Sequence, residues 1–167
     1  EQLAKSAAKI LGIKTINGFD FPDNKMDSVP LLEITQAIET VIEQIKPELI
    51  YTHHYGDLNI DHRVTHQAVI TACRPRPGFC VKELYAFEVL SSTEWQTPGY
   101  MNFVPNVFVD ITAYMDIKLD TIQVYNLEMR VQPHSRSIVN TKNLASLRGA
   151  TIGVAYAEAF SLIRKII

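Results

Sequence analysis

The sequence has little of what marks several common protein classes. Its 167 residues include two cysteines, Cys73 and Cys80, which are too few for a disulfide framework, so we interpret them as reduced thiols of a cytoplasmic protein. The net charge of −2 offers no basic surface to nucleic acid or to an anionic membrane. No apolar run is long enough to span a bilayer. These absences exclude nucleic acid and membrane as expected partners.

A dinucleotide fingerprint is also missing, because no Gly-x-Gly-x-x-Gly follows any predicted strand, which argues against a nicotinamide-dependent dehydrogenase. What remains is a chain of ordinary composition, 47% hydrophobic and 20% charged, with length for one domain and a sizeable core. We therefore predict a single domain over residues 1–167. Strand and helix patterns alternate, which indicates an α/β fold with a mainly parallel sheet covered by helices on both faces.

The predicted elements follow from apolar periodicity and from turn residues. A buried strand at residues 49–51 precedes a polar loop and a helix that Asp61 caps and Pro75 ends. Asp27 or Ser28 is predicted to cap the helix before that strand. That helix has Pro30 in its first turn, carries an apolar stripe from Leu31 to Ile45 and ends at Pro47. The other predicted helices lie at 1–11, from a cap at Thr112 to about 126, at 138–148 and at 156–166. The other predicted strands lie at 14–17, 82–90 and 107–111.

The first residues suggest that the chain continues upstream. Residues 1–11 are already helical in pattern, without an initiator Met or a cap before them. We expect a segment before Glu1.

Histidine is rare in the chain but concentrated in one stretch. Four of the five histidines fall between residues 53 and 66, together with three carboxylate or amide side chains. The cluster comprises His53, His54, Asp57, Asn59, Asp61, His62 and His66. Imidazole and carboxylate groups bind zinc, but His62 and His66 lack the Glu of the His-Glu-x-x-His signature. The spacing alone leaves open a metal site or ordinary surface and loop histidines.

Residues 59–68 resemble the second signature of the LmbE-like or PIG-L zinc N-deacetylases, His-Pro-Asp-His followed by a helix. Segments at 108–112, 132–137 and 156–160 resemble family segments in the same order. The resemblance implies a Rossmann-like fold, a zinc cofactor and removal of acetyl groups from N-acetylated amino sugars.

The resemblance assigns roles to three residues of this signature. His62 matches a zinc ligand, and Asp61 matches a carboxylate that orients its neighbours in the site. Asn59 stands where many members have a His that polarises the acetyl carbonyl, although an Asn amide can also donate to an oxyanion. His66 has no ligand role in the family pattern.

The family's first signature, His-Pro-Asp-Asp, is absent from residues 1–167. The Phe-Pro-Asp-Asn at 21–24 lacks its His and follows a later strand, so we reject it as the metal motif. The resemblance implies that two zinc ligands and the general base precede Glu1. We therefore expect the 167-residue chain alone to hold little zinc and to be inactive.

Other polar and aromatic residues have two interpretations each. His134 and Arg136 lie in a polar loop. If the resemblance extends to this loop, it covers the substrate; otherwise it is an ordinary exposed loop. Trp95 and Tyr100 could stack on a sugar ring or pack in the ordinary way. At least one of His53 and His54 is expected to hydrogen-bond to the loop, and we favour this interpretation over metal binding.

The sequence therefore predicts a zinc-dependent hydrolase that removes the N-acetyl group from an amino sugar or its conjugate. The predicted catalytic residues are Asp61 and Asn59, the substrate-binding residues His134 and Arg136, and the metal ligand His62. The alternatives are another metal-dependent hydrolase, such as a phosphoesterase, and a non-catalytic Rossmann-like binding module. The expected partner is a small amino-sugar molecule, and assembly into a homo-oligomer is left open.

Overall fold

A computed structural model describes residues 2–167, so the Glu1 position of the predicted first helix lies outside the described residues. Five helices and four strands follow in the order α1 (Gln2–Leu11), α2 (Leu31–Ile45), β1 (Leu49–His53), α3 (Ile60–Ala72), β2 (Glu83–Phe87), β3 (Val107–Asp110), α4 (Met115–Gln123), α5 (Ile138–Ile152) and β4 (Ala157–Lys165). Single 3-10 turns lie at Met26–Ser28, Thr93–Trp95 and Thr112–Tyr114. Within residues 2–167, no helix has the length and apolar character to cross a membrane.

The strands form one sheet in the order β1-β2-β4-β3. The α/β class is confirmed, but the sheet is mixed, because β1 and β2 are parallel while β2 and β4 are antiparallel. The prediction of a mainly parallel sheet is therefore only partly confirmed.

The antiparallel strand is β4, where the sequence predicted a helix over 156–166. Ala, Glu, Leu and Lys favour helices in isolation. Here the neighbouring strand supplies backbone partners from Phe87↔Phe160 to Glu83↔Lys165, and this tertiary pairing overrides local propensity. The strand predicted at 14–17 was also wrong, because that segment has no sheet neighbour among the described residues.

The prediction that the strand at 49–51, now β1, is buried was wrong as well. Leu49 and Tyr51, on one face of the strand, are 39% and 46% exposed, whereas Thr52, on the opposite face, is 2% exposed. An apolar run of three residues does not reveal whether a strand is central or at an edge, and β1 is at the edge of the sheet.

Two helices do not begin at the caps predicted for them. Pro30 occupies the N-cap of α2, and neither Asp27 nor Ser28 caps it. The predicted helix at 112–126 begins later, at Met115, after the 3-10 turn Thr112–Tyr114. Pro30 has the φ of −53° that its ring imposes, but its side chain has no hydrogen-bond acceptor, so no side chain caps α2.

The chain divides into two compact units, the first formed by residues 1–18 and 108–159 and the second by 19–107 and 160–167. The single domain over 1–167 stays a prediction. In the first unit, α1 packs against α4, and Ile111, Met115 and Ala145 form a buried cluster.

The second unit carries the histidine cluster. Its helix α2 packs on α3, and α3 packs on β1. The core beneath them consists of Ile42, Val69, Ala72, Cys73, Val81 and Leu84. Both cysteines are free thiols, as predicted, and burial raises the pKa of Cys73 to about 11. This packing fixes α3 with its first turn beside the end of β1.

Candidate active site

Helix α3 begins at an asparagine cap. Asn59 has an extended backbone (φ −69°, ψ 125°), and its Oδ1 accepts a hydrogen bond of 2.8 Å from the N–H of Asp61. The prediction that Asp61 caps the helix was therefore wrong by two positions. Since the cap uses the oxygen of the Asn59 amide, its Nδ2 group remains a donor without a partner among the described residues.

The Asp61 side chain instead anchors a distant loop. Its Oδ2 accepts from the backbone N–H of Asn24 at 2.6 Å, and its Oδ1 accepts from that of Met26 at 3.0 Å. Both oxygens are thus engaged by the segment that enters the 3-10 turn at Met26–Ser28. These contacts explain Asp61 as a structural residue, and its catalytic role stays a prediction.

The buried carboxylate of this region is Asp57, which the sequence analysis did not assign to the site. Asp57 is fully buried. Its Oδ2 accepts from Thr93 Oγ1 at 2.6 Å, and its Oδ1 accepts from Ser92 Oγ and from the N–H of Asn59 at 2.9 Å. Burial acts to raise the pKa of Asp57, but the imidazole of His62 and these donors hold it well below its usual range. Asp57 is therefore ionised at neutral pH.

His62 lies directly beside that charge. Its Nδ1 is 3.1 Å from Asp57 Oδ1, and its side chain is 21% exposed. The N–H direction is poorly aligned with the carboxylate, so the contact is electrostatic rather than a well-formed hydrogen bond. With Nδ1 turned into the protein, Nε2 is the nitrogen of His62 that can reach a ligand. Metal-binding histidines are commonly oriented in this way by a carboxylate.

The ring of His53 stacks on that of His62, with centroids 4.1 Å apart. Burial, and then the neighbouring His62, lower the pKa of His53 to about 4, so it is neutral at pH 7. Its Nδ1 is buried without a hydrogen-bond partner among the described residues. His53 therefore restricts the His62 ring by stacking.

The remaining two histidines of the cluster bond to the backbone. His54 is 2% exposed, and its Nε2 donates to the carbonyl of Met101 at 2.7 Å. His66 Nδ1 donates to the carbonyl of His53 at 2.7 Å, and burial lowers the pKa of His66. Of His53 and His54, the two histidines for which a hydrogen bond to the loop was predicted, His54 makes that bond.

The fit to a metal ion is partial. Within residues 2–167, no three His, Cys, Asp or Glu side chains converge to hold an ion, whereas a catalytic zinc takes about three protein ligands. His62 has the environment of one such ligand, because a buried carboxylate orients its ring. The described residues thus offer zinc a single well-positioned nitrogen.

The two predicted substrate-binding residues lie in the first unit. Arg136 donates its backbone N–H to His134 Nδ1 at 3.0 Å, and its Nη1 is 3.8 Å from Glu128 Oε2. Asn140 Nδ2 donates to the carbonyl of His134 at 2.9 Å. The loop is therefore held by its own polar groups, and substrate binding by His134 and Arg136 stays a prediction.

Asp57 is the residue that sequence reasoning missed. The only local signal was an acidic residue inside the histidine cluster, just after a strand. Its partners Ser92 and Thr93 are 35 and 36 residues away in sequence, so no periodicity or spacing relates them. The structure brings Asp57, Asn59, Asp61 and His62 into one region, at the end of β1 and the start of α3.

The fold and this region define an α/β protein with a candidate catalytic site at the carboxyl end of a strand. The family described as PIG-L: GlcNAc-PI de-N-acetylase matches residues 1–73, which include β1 and α3. The resemblance to the PIG-L family that the sequence predicted is confirmed.

Two curated relatives and one solved structure extend this similarity. Diacetylchitobiose deacetylase of Thermococcus kodakarensis is 27% identical over 95% of this chain and 60% of the relative. Probable N-acetyl-alpha-D-glucosaminyl L-malate deacetylase 2 of Bacillus anthracis is 25% identical over 75% of this chain and 54% of the relative. The chain thus spans little more than half of the length of these relatives.

The solved structure has another activity in its name. GalB, the 4-carboxy-2-hydroxymuconate hydratase of Pseudomonas putida KT2440, matches with a TM-score of 0.77 and 23% identity, over 99% of this chain and 71% of that protein. At this identity the likeness establishes the fold alone.

Proposed function

We propose that this protein is a zinc-dependent amide hydrolase that removes the N-acetyl group from an amino sugar or its conjugate. The observation that carries the proposal is the imidazole of His62, set 3.1 Å from a buried carboxylate at the first turn of α3. The similarity to proteins named as deacetylases of acetylated amino sugars supports the choice of reaction.

His62 Nε2 would hold the metal. Zinc, when bound, lowers the pKa of its water to about 7 and polarises a carbonyl. The described residues supply one ligand, and the proposal assigns no others. Asp57 acts as a positioning residue, because its charge holds the His62 ring with Nδ1 inward and Nε2 outward.

Asn59 is the proposed donor to the oxyanion that develops on the acetyl carbonyl. Its Oδ1 is occupied by the helix cap at 2.8 Å, which restricts the orientation of the amide and leaves Nδ2 as the donor. Preorganised donors of this kind stabilise charge that appears only in the transition state. Asp61 as a further catalytic carboxylate, and His134 and Arg136 as substrate contacts, belong to the proposal as well.

Acetate release tests the reaction. The natural protein, loaded with zinc, is incubated with N-acetylglucosamine and with N,N′-diacetylchitobiose, and acetate is measured before and after a chelator removes the metal. We expect release that the chelator abolishes and that added zinc restores. Phosphate release from phosphate esters without acetate release would favour the phosphoesterase alternative. If neither acetate nor phosphate is released, a non-catalytic binding module is favoured.

Zinc content tests the assignment of the ligand separately from the reaction. His62→Ala should lose the metal, while His66→Asn should retain it, since His66 bonds to the backbone through Nδ1. Equal zinc content in both variants would contradict the role of His62. The cytoplasmic location and a homo-oligomer stay predictions.

A further inference from the structure

The loop that follows β2 supplies two hydroxyl groups to the buried carboxylate of Asp57. Ser92 and Thr93 are 5% and 8% exposed, although serine and threonine side chains usually lie at the surface of a protein. Ser92 Oγ donates to Asp57 Oδ1, and Thr93 Oγ1 donates to Asp57 Oδ2 at 2.6 Å. Each oxygen of the carboxylate therefore has one hydroxyl of this loop as a partner.

A second contact fixes the direction of the hydrogen bond from Thr93. The backbone N–H of Val89 donates to Thr93 Oγ1 at 2.7 Å, and a backbone N–H can only donate. Since the hydroxyl accepts there, its single proton is left for Asp57, whose ionised carboxylate can only accept. The N–H of Thr93 also donates to the carbonyl of Val89 at 2.9 Å. The backbone thus sets the position from which Thr93 donates.

The loop is tied to its surroundings on both sides of the two hydroxyls. Glu94 Oε2 accepts from the backbone N–H of Ser92 at 3.2 Å. Gln96 Nε2 donates to the carbonyl of Gly56 at 3.0 Å, which joins the loop to the residue before Asp57. Groups held in this way lose little further freedom when they orient a neighbour.

The partners of Asp57 stabilise its charge without neutralising it. The two hydroxyls and the backbone N–H of Asn59, at 2.9 Å, are neutral donors. Within residues 2–167, no lysine or arginine forms an ion pair with this carboxylate. Arg63 bonds instead to the backbone carbonyl of Asp57, with Nη1 at 2.6 Å. The charge therefore acts on His62, whose Nδ1 is 3.1 Å from Oδ1.

We propose that Ser92 and Thr93 are positioning residues for the metal ligand His62 and that they act on it through Asp57. The two hydroxyls fix the plane of the carboxylate, and the carboxylate holds the imidazole with Nδ1 inward, which leaves Nε2 available to a ligand. A lysine or arginine in their place would cancel the charge that holds the ring. This inference rests on the proposed function for the metal alone, because the orientation of the ring can be measured without one.

Zinc affinity of the natural protein, measured by competition with a chelator, is the first test. Thr93→Val removes the hydroxyl at similar volume and should lower zinc affinity about tenfold, the lower end of the effect of removing a group behind a metal ligand. Thr93→Ser keeps the hydroxyl and should restore most of the affinity.

Thr35→Val is the matched control. Thr35 lies in α2 of the same unit, is 2% exposed, and donates to the carbonyl of Leu31 at 2.8 Å. Its variant loses a buried hydroxyl that has no contact with Asp57 and should keep the natural zinc affinity. An equal loss of zinc affinity in Thr35→Val and Thr93→Val would overturn the inference.

A double-mutant cycle shows whether Thr93 acts through Asp57. In the Asp57→Asn background the charge is already absent, so Thr93→Val should change zinc affinity by less than about twofold. If Thr93→Val has the same effect in the natural protein and in Asp57→Asn, Thr93 acts independently of Asp57 and the inference is wrong.

The ring of His62 offers a measurement that needs no zinc. Long-range proton–nitrogen NMR spectra of the zinc-free natural protein report which ring nitrogen carries the proton in the neutral imidazole. We expect the proton on Nδ1, facing Asp57, and a mixture of both tautomers in the double variant Ser92→Ala, Thr93→Val. The two single variants should show the same change in part, and thermal melting identifies the variants that fold.

The two readouts separate failure of this inference from failure of the proposed function. A natural protein that binds no zinc, but whose variants show the expected change in the His62 spectrum, retains the positioning role and loses the zinc-dependent reaction. Zinc-dependent acetate release with the same His62 spectrum in the natural protein and in all three variants retains the reaction and overturns the positioning role.

Discussion

The start of α3 and the loop at 132–137 are both polar segments before a helix, but they differ in which polar groups remain available. At the start of α3, the cap occupies Oδ1 of Asn59 and the buried carboxylate of Asp57 faces Nδ1 of His62. The Asn59 and His62 side chains are thereby oriented, while Nδ2 of Asn59 and Nε2 of His62 have no partner among the described residues.

In the loop at 132–137, the polar groups bond to one another. The N–H of Arg136 donates to His134 Nδ1 at 3.0 Å, and the N–H of Arg130 donates to the carbonyl of Arg136 at 3.0 Å. Such bonds stabilise the local backbone. A polar loop is therefore a candidate catalytic segment only when structural bonds orient a group and leave another of its atoms free.

The largest expected effect is that of His62→Ala. If His62 is a zinc ligand, the variant loses the metal and with it acetate release, because a three-ligand site cannot retain zinc tightly with one ligand removed. His134→Ala is the matched control and should keep full zinc content. Metal analysis and acetate assays check both variants. If His62→Ala retains zinc, the start of α3 supplies no metal ligand and does not differ from the loop at 132–137 in this respect.

The second effect is that of Asn59→Asp. Aspartate is as good an N-cap as asparagine, so folding should be unchanged while the donor is lost. We expect kcat to fall about 100- to 1000-fold, as for removal of an oxyanion donor. Thermal melting and steady-state kinetics check this pair of outcomes. Full kcat would show that Asn59 is a cap and nothing more.

A smaller effect is expected for Asp57→Asn. The amide has the shape of the carboxylate but lacks its charge, so the His62 ring loses its orientation and zinc affinity should fall about 10- to 100-fold. Asp110→Asn, at an exposed carboxylate, is the control and should not change zinc affinity. Competition with a chelator measures both. Equal affinities would indicate that Asp57 only holds Ser92 and Thr93 in place.

The smallest effects belong to the loop at 132–137. His134→Ala and Arg136→Ala should change kcat/KM for the substrate while leaving zinc content intact. The ion pair of Arg136 with Glu128 is exposed, so its loss should cost stability about 0–1 kcal/mol. Unchanged kinetics in both variants would make the loop purely structural and would sharpen its contrast with α3.

The elements that sequence predicted best are those with local causes. The apolar stripe of α2 is helical as expected, α5 begins at the predicted Ile138 and continues to Ile152, four residues beyond its predicted end, and β1 precedes a polar loop and α3. Helix periodicity, proline and turn residues act within a few positions of one another, so they can be read from the chain.

The errors in the fold have non-local causes. Residues 157–165 form a strand because β2 supplies their backbone partners, although their composition favours a helix. Tyr51 is 46% exposed because β1 is at an edge of the sheet. Strand pairing and strand order are properties of the assembled sheet, and a window of residues contains neither.

For the candidate site, the sequence by itself determined which residues stand near the end of β1, and it singled out Asn59, Asp61 and His62 by their resemblance to a family signature. Only the tertiary structure decided what each contacts. Asp57 is ionised although it is buried, because the imidazole of His62 and then the hydroxyls of Ser92 and Thr93, from a loop 35 and 36 residues away, stabilise its charge. Hydrogen bonds across such separations depend on how the loops fold together, and no local pattern encodes them.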